Sequence, residues 1–332
     1  MSSRGGAVTP ARRRLHRVLA GGTAAGAVLA LAACGSTATA AKSSGPEKRD
    51  LVVAAVPGEG AAGLYIAQDK GLFAKAGLHV KIEPVISAET VIPGMLHGSI
   101  DVASGQYTSY IGADAAGIAK MRILAAGYAL GPHVQEIIVA AHSKITSVAG
   151  LKGKIIAVNQ PNSVTTDLLY TVLAPYGITP AQVHVVPFPF PAMPGVLAAG
   201  KVDAAFEIEP FLTEAVKQQG VQELADIDTG ASQGFPISGY GVLASWAAKY
   251  PRTAAAFAKA IKEGNAIAAT NLAVLQRTFA TQLHLSPSVT GVMAVGSFPT
   301  TASAVQLQRV ADLMLQYKQL KQRFMVKSIM GG

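Results

Sequence analysis

Short apolar runs alternate with longer amphipathic stretches between residues 50 and 245. The short runs are typical of strands, and apolar residues recur at helical spacing in the stretches between them. The predicted strands cover residues 51–56, 79–85, 100–103, 121–126, 135–141, 154–159, 184–188, 202–206 and 240–245. The predicted helices among them cover residues 61–69, 88–96, 107–116, 164–175, 194–199 and 211–219. Strands separated by helices predict an α/β fold with mainly parallel sheets.

The pattern becomes almost wholly helical after residue 245. Pro251 suits a first helical turn, and residues 254–283 have the pattern of one long helix or two. Residues 303–321 carry apolar positions at amphipathic spacing, which predicts a helix lying on the body of the protein.

The beginning of the chain has the pattern of an export signal. A basic segment at residues 12–17 precedes an apolar run at residues 18–33, which is shorter than the about 20 residues of a spanning helix. The run ends in Leu-Ala-Ala-Cys at Cys34, the only cysteine, and this resembles a bacterial lipobox. We predict a lipoprotein signal peptide at residues 1–33, a lipid on Cys34 and a flexible tether at residues 34–49. An ordinary signal peptide with a chance cysteine is the alternative, and the export route is left open.

Composition narrows the functional classes. Half of the residues are hydrophobic and 14% are charged, so the chain can bury a sizeable core. Five of the 28 basic residues precede Cys34, which leaves 23 basic and 19 acidic residues after the signal and a net charge of +4. These basic residues are scattered, so we expect no nucleic-acid partner. A single cysteine allows no internal disulfide and no cysteine-based metal site.

Four segments resemble, in order, those of a known family. They are LYIAQDKGLFAKAGL at residues 64–78, LHGSIDVA at 96–103, ITSVAGLKGK at 145–154 and AAGKVDAA at 198–205. The family is that of ABC-transporter solute-binding proteins for nitrate, aliphatic sulfonates, taurine and thiamine-precursor pyrimidines.

This resemblance implies a type II periplasmic-binding-protein-like fold with two α/β lobes and a ligand cleft between them. By analogy, the crossing segments lie near residues 134–141 and 239–245. Lobe 1 would then comprise residues 50–138 and 240–332, and lobe 2 residues 139–239. The resemblance also implies a monomeric lipoprotein on the extracytoplasmic face of the cell membrane. It would capture a small polar solute by hinge closure and deliver it to an ABC permease and its ATPase.

A glycine motif offers a different interpretation. Gly58, Gly60 and Gly63 form G-x-G-x-x-G between a strand and a helix, with Glu83 at the end of the next strand, as in dinucleotide-binding proteins. The alternative is therefore an exported α/β enzyme or a dinucleotide-binding protein. Export argues against it, and the same glycines also let backbone amides approach another ligand. A loop without ligand contact is a third possibility.

Candidate ligand contacts lie where predicted strands end. Glu207 and Glu209 alternate with apolar residues, so both could point the same way, and a carboxylate in a cleft favours an amine or a hydroxyl-bearing ligand. Alternatively, one of them caps the following helix and the other faces solvent. Asn162 or Ser163 could cap the helix that follows them and contact ligand as well. The predicted ligand-binding residues are Glu59, Gly60, Tyr65, Ser104, Gln106, Tyr107, Gln160, Asn162, Ser163, Thr165, Glu207 and Glu209.

The sequence contains no recognisable catalytic motif. It lacks G-x-S-x-G, a Walker A lysine motif and H-E-x-x-H, and its seven histidines have no metal-ligand spacing. We therefore predict no enzyme activity, no cofactor and no metal. The solute stays open: helix N-termini suit an oxyanion, the glutamates suit an amine, and a taurine-like zwitterion would suit both. Tyr65 and Tyr107 would suit a flat pyrimidine, and the lack of arginine in these loops disfavours a bare inorganic anion.

Overall fold

Two five-stranded sheets form the centre of the protein. The structure, a computed structural model, describes residues 45–85 and 91–330. Its strands are β1 (Asp50–Ala55), β2 (His79–Pro84), β3 (Val102–Gln106), β4 (Met121–Ala129), β5 (Gln135–Val139), β6 (Ile155–Val158), β7 (His184–Pro187), β8 (Ala204–Ile208), β9 (Gln222–Asp226) and β10 (Pro236–Leu243). The first sheet has the strand order β2-β1-β3-β10-β4, and the second has the order β7-β6-β8-β5-β9.

Both sheets are mixed rather than mainly parallel. In the first sheet, β1 is parallel to β2 and β3, and β10 is antiparallel to β3 and β4. In the second, β6 is parallel to β7 and β8, and β5 is antiparallel to β8 and β9. The parallel strands place their carboxyl ends at one edge of each sheet, where open α/β sheets bind ligands.

Helices cover the sheets and continue toward the C-terminus. They are α1 (Ala62–Asp69), α2 (Leu72–Lys75), α3 (Val91–Leu96), α4 (Tyr107–Ala115), α5 (Val164–Leu173), α6 (Met193–Ala198), α7 (Phe211–Gln219), α8 (Ala244–Lys249), α9 (Pro251–Thr270), α10 (Leu272–Gln282), α11 (Pro287–Thr290) and α12 (Ala304–Gln316). The open question about residues 254–283 is resolved as two helices, because the Asn271 side chain accepts a hydrogen bond from the Val274 amide and caps α10. Among the described helices, none combines the length and the apolar character needed to cross a membrane.

Apolar side chains from the strands and helices form the core. Val53 of β1 and Phe257 of α9 are fully buried in it, as are Ile156 of β6 and Leu168 of α5. Burial of each such side chain contributes about 1.5–3 kcal/mol. The core therefore fixes the sheet edges from which the polar residues below project.

The chain passes between the sheets earlier than predicted. The first crossing is residues 130–134, between β4 and β5, and the second is residues 227–235, between β9 and β10. The predicted crossings at 134–141 and 239–245 are largely strand, because the chain pairs with the other sheet as soon as it arrives. The crossings are also bonded to each other, since the Leu130 amide donates to the Phe235 carbonyl over 2.9 Å.

The predicted signal peptide, Cys34 and residues 34–44 of the predicted tether lie outside the described residues. For the rest of that tether the prediction of a flexible segment is wrong, because residues 45–49 are bonded to the folded part of the protein. The Glu47 carboxylate accepts hydrogen bonds from the Arg252 and Thr253 amides at the start of α9, at 3.1 and 2.8 Å. Lys48 forms an ion pair with Asp101.

Candidate ligand-binding site

Glu59 lies in a single 3-10 turn, Glu59–Ala61, between β1 and α1. Its side chain is 7% exposed. Oε2 accepts a hydrogen bond from the Gly296 amide over 3.3 Å, whereas Oε1 has no hydrogen-bond partner among the described atoms. One oxygen of this buried carboxyl group is therefore available to a ligand.

Gly60 and Ser238 bring β10 against this turn. A Cβ atom at Gly60 would lie 2.7 Å from Ser238 Oγ, so a larger residue would displace the serine. Ser238 is buried, and its Oγ also has no partner in the described part of the chain. Gln106 is the register partner of Ser238 across β3 and β10. Glu59, Gly60, Gln106 and Ser238 thus meet at one edge of the first sheet.

The last glycine of the G-x-G-x-x-G motif has a packing role. A Cβ atom at Gly63 would overlap the Asn265 side chain, and one at Gly264 would overlap the Gly63 carbonyl. Gly63 and Gly264 therefore allow α1 and α9 to approach closely. This close approach explains the third glycine without a dinucleotide.

Glu207 and Asn159 end two neighbouring strands of the second sheet. Ala157 pairs with Ala205 across the parallel strands β6 and β8, and Asn159 and Glu207 each follow by two residues, so their side chains share one face. Glu207 is fully buried. Its Oε1 accepts the Ile208 amide over 3.0 Å, while Glu207 Oε2 and Asn159 Oδ1 have no partner among the described atoms.

Glu209 has a different role from Glu207. Its carboxylate accepts the Thr213 amide and hydroxyl, at 3.1 and 2.8 Å, in the first turn of α7. It also accepts the Ala294 amide over 3.1 Å. Glu209 therefore fulfils the capping alternative stated from the sequence, but Glu207 does not face solvent as that alternative required.

Residues 294–296 bridge carboxyl groups from both sheets. The Ala294 amide binds Glu209, which follows β8, and the Gly296 amide binds Glu59, which follows β1. No sequence signal marked this segment, because its only contribution is two backbone amides. The bridge places Glu59 and Glu209 near each other.

Burial dominates the electrostatics of these acids. It raises the pKa of Glu59 to about 8, partly opposed by the Gly296 amide and the nearby Tyr128 hydroxyl, and reinforced by the charge of Glu209. It likewise raises the pKa of Glu207 to about 8, with Ile208 opposing and Glu209 reinforcing the shift. In the described part of the chain, no ion pair includes Glu59, Glu207 or Glu209. The group can thus accept hydrogen bonds and positive charge that the protein itself does not supply.

Three other residues that the sequence predicts as ligand contacts are buried in the part of the protein built around the first sheet. Tyr65 and Tyr107 are buried members of the main core, and Ser104 is 4% exposed. A Cβ atom at Gly239 would overlap the Tyr107 ring and hydroxyl, so this tyrosine packs under β10 rather than forming an aromatic wall.

The loop before α5 is partly exposed. Gln160 and Asn162 are exposed, and Thr165 is buried. Ser163 occupies the N-cap position, but its hydroxyl donates to the Gln160 carbonyl over 2.7 Å and accepts no helix amide. The predicted capping bond of Ser163 is therefore absent from the described loop, and among the described residues no hydrogen bond joins these four residues to Glu59 or Glu207.

A further acidic cluster lies beside the first crossing. Glu136 on β5 is paired in register with Glu207 on one side and Asp226 on the other. Its Oε1 shares a hydrogen bond of 2.7 Å with His133 Nδ1, and ligand atoms of His133, Glu136 and Glu223 lie within 4.8 Å of one another. Burial raises the pKa of Glu136 to about 7. We assign this group to an ion pair, because the imidazole faces the one deeply buried carboxyl group.

A cavity of about 380 Å³ lies away from these strand edges. It lies between α5, the second crossing and α12, is open on one side, and its lining includes Leu168, Phe235, Arg309 and Leu313. Arg309 donates to the Ala231 and Gln233 carbonyls, so α12 is tied to the second crossing.

Solved structures share this architecture. The periplasmic aliphatic sulphonate binding protein SsuA from Escherichia coli is 21% identical, with a TM-score of 0.71 over 85% of this chain and 97% of that chain. The periplasmic nitrate-binding protein NrtA from Synechocystis PCC 6803 is 18% identical, with a TM-score of 0.71 over 83% of each chain. DszB in complex with biphenyl-2-sulfinic acid is 17% identical, with a TM-score of 0.66 over 86% of this chain and 97% of that chain. The fold is therefore the α/β fold of periplasmic binding proteins.

Comparison with curated protein sequences gave no match. A family model does match: the model of the NMT1-like family aligns with residues 44–277. This region is most of the chain and includes both sheets, the Glu59 turn and the strand that ends at Glu207. The protein therefore belongs to the NMT1-like family.

Proposed function

We propose that this protein is the solute-binding component of an ABC importer. The observation that carries the proposal is that residues 294–296 join Glu59 of the first sheet to Glu209 of the second, while each sheet edge also holds buried polar atoms without a partner among the described residues. In the proposal, residues on the two sides of the crossings form two lobes, and a solute enters when they separate. Glu59 and Glu207 are buried in the present arrangement, so access to them requires such a movement.

Structural relatives support this class of function. SsuA and NrtA are described as binding proteins for aliphatic sulphonates and nitrate, and both share the fold. We propose that this chain also captures a small polar solute and passes it to an ABC permease and its ATPase. A bare anion such as nitrate fits poorly here, because the buried side chains at the strand edges are carboxyl groups and no arginine lies among them.

The proposed role is binding without turnover. DszB, which shares the fold, is an enzyme, so the fold alone does not decide this point. The choice rests on the sequence, which lacks G-x-S-x-G, a Walker A lysine motif and H-E-x-x-H. The dinucleotide alternative is disfavoured because Gly63 is used in packing α1 against α9.

A thermal-shift screen tests the proposal. The purified protein would be heated with taurine, alkanesulfonates, nitrate, pyrimidines, amines and amino acids. A ligand at about 100 times its Kd adds roughly 2.7 kcal/mol to the free energy of unfolding, and the shift should grow with concentration. Chemical conversion of any stabilising solute would contradict the proposal, as would the lack of a response to the whole panel.

Lipid anchoring at Cys34 is a separate proposal. We expect Cys34→Ala to move the protein from the membrane fraction to the soluble extracytoplasmic fraction, because the thiol is the acceptor of the lipid. Fractionation and immunoblotting of cells that express each form provide the measurement. Retention of the variant in the membrane fraction would show that another feature anchors the chain.

A further inference from the structure

We propose that the captured solute carries a cationic nitrogen, as an ammonium or amidinium group, which binds between Glu59 and Glu207. This inference rests on the proposed solute-binding function and specifies the chemistry of its ligand.

The first support is an excess of buried acceptor oxygens that have no hydrogen-bond donor. Glu59 Oε1, Glu207 Oε2 and Asn159 Oδ1 are buried and have no partner among the described atoms. An unsatisfied buried polar atom costs about 1–3 kcal/mol, so these three atoms favour a ligand that satisfies them. Carboxylate and amide oxygens accept hydrogen bonds. The matching ligand group is therefore rich in N–H donors, as ammonium and amidinium groups are.

The second support is the hydroxyl of Ser238. Its Oγ is buried, lacks a partner in the described structure and lies against Gly60, directly beside Glu59. A hydroxyl can donate or accept, so it can complete the contacts of a nitrogen group that is held by Glu59. The site therefore includes a polar group other than the acids.

The third support is the distribution of charge. The charge of Glu209 acts on both Glu59 and Glu207, which places each of these two acids within electrostatic range of Glu209. Nearby cations are engaged elsewhere, since Arg309 acts on Asp228 and His133 bonds to Glu136. In their ionised forms these acids attract a cationic ligand and repel an anion.

The location also explains how binding would close the protein. Glu59 follows a strand of the first sheet, and Glu207 belongs to a strand of the second. A single cation that contacts both carboxylates holds the two halves together, so the closed form binds it better than an open form does.

Matched pairs of probes test the inference. Binding to the purified full-length protein would be measured by calorimetry with taurine and isethionate, putrescine and 1,4-butanediol, and 4-aminopyrimidine and pyrimidine. Magnesium chloride would be the metal control. We expect at least one amino-bearing probe to bind at least tenfold more tightly than its matched partner. Glu59→Gln and Glu207→Gln should each weaken that binding at least tenfold. Glu214→Gln, on the partly exposed side of α7, should leave it unchanged.

Proton release provides a second readout. The raised pKa values of Glu59 and Glu207 mean that both carboxyl groups are largely protonated at pH 7 without a ligand, and a bound cation favours their ionised forms. Binding should therefore release protons, and affinity should rise from pH 6 to pH 8. The other titratable groups facing this site are Glu209, Tyr128, Asp228 and Glu136. Calorimetry in two buffers with different ionisation enthalpies measures the release, which Glu207→Gln should reduce.

The outcomes separate this inference from the proposed function. If the probes without an amino group bind as tightly as their partners and are unaffected by Glu59→Gln and Glu207→Gln, solute binding stands and the cation inference is overturned. Stabilisation by magnesium but by none of the amines would overturn it as well. If none of the solutes binds, the inference and the proposed function both fail.

Discussion

At pH 8, the ligand-free Glu207→Gln variant should be more stable than the wild-type protein, by roughly 2–4 kcal/mol in the free energy of unfolding. Burial raises the pKa of Glu207 from 4.5 to about 8, and one pKa unit corresponds to about 1.4 kcal/mol. Ionisation in the unfolded state therefore competes with folding of the wild-type chain. Glutamine has nearly the same shape as the protonated acid, keeps a carbonyl oxygen that can accept the Ile208 amide, and does not ionise. Thermal and denaturant unfolding of both proteins measures the difference.

The effect should depend on pH with a definite sign. Between pH 4.5 and 8 the unfolded chain loses the proton of this carboxyl group while the folded chain retains it, so the stability of the wild-type protein falls as pH rises. Glu59, Glu136 and Asp167 also have pKa values raised mainly by burial, and they act in the same direction. The advantage of Glu207→Gln should shrink below about 1 kcal/mol at pH 5. Glu214→Gln is the control, and a Glu207→Gln variant less stable than wild type at pH 8 would contradict the assignment.

Glu209→Ala should have the opposite effect and destabilise the protein by roughly 3 kcal/mol. The carboxylate accepts three hydrogen bonds, two from Thr213 and one from Ala294. Its removal leaves these donors without their acceptor in a buried place, and each unsatisfied group costs about 1–3 kcal/mol. It also removes one of the two attachments of residues 294–296. Chemical denaturation at pH 7 measures the loss.

Glu214→Ala on the same helix is the matched control, because its side chain is only partly buried. Thr213→Val should give an intermediate loss, since it removes the hydroxyl but keeps the amide. If Glu209→Ala were as stable as Glu214→Ala, the capping role assigned to Glu209 would be contradicted.

The fold was largely predictable because its strands are short apolar runs. β1 and β5 lie within one or two residues of their predicted bounds, and β6 lies inside its predicted range. β9 was missed because Gln222–Asp226 is a polar edge strand with little apolar signal. The crossings were predicted too late in the chain. The apolar pattern of a strand does not reveal which of the two sheets it joins, so the point at which the chain changes sheets could not be located from the sequence.

The site was predictable only where a sequence pattern pointed at it. The alternation of Glu207 and Glu209 with apolar residues makes both of them predicted ligand contacts. Only the three-dimensional contacts show that Glu207 has an unpartnered oxygen and that Glu209 caps a helix. The contact of Ser238 with Gly60 could not be predicted, because the two residues are far apart in the chain. Tyr107 is predicted as a ligand contact because it follows a strand. In the structure its ring packs closely against Gly239, and it is part of the core.

Glu207 lowers the stability of the ligand-free protein, as expected of a residue that is kept because it binds the solute. A buried carboxyl group without a partner destabilises the ligand-free protein, and natural proteins often keep such groups where function requires them. In the proposed function, the ligand removes this penalty, so binding and stability are linked.

Small-angle X-ray scattering of the purified protein, with and without a stabilising solute from the screen, tests hinge capture most directly. We expect the solute-free protein to have a larger radius of gyration, and saturating solute to lower it toward the value calculated from the present structure. Glu207→Gln should need at least tenfold more solute to reach the same decrease. A radius of gyration that stays constant while calorimetry shows the solute to be bound would contradict capture by closure.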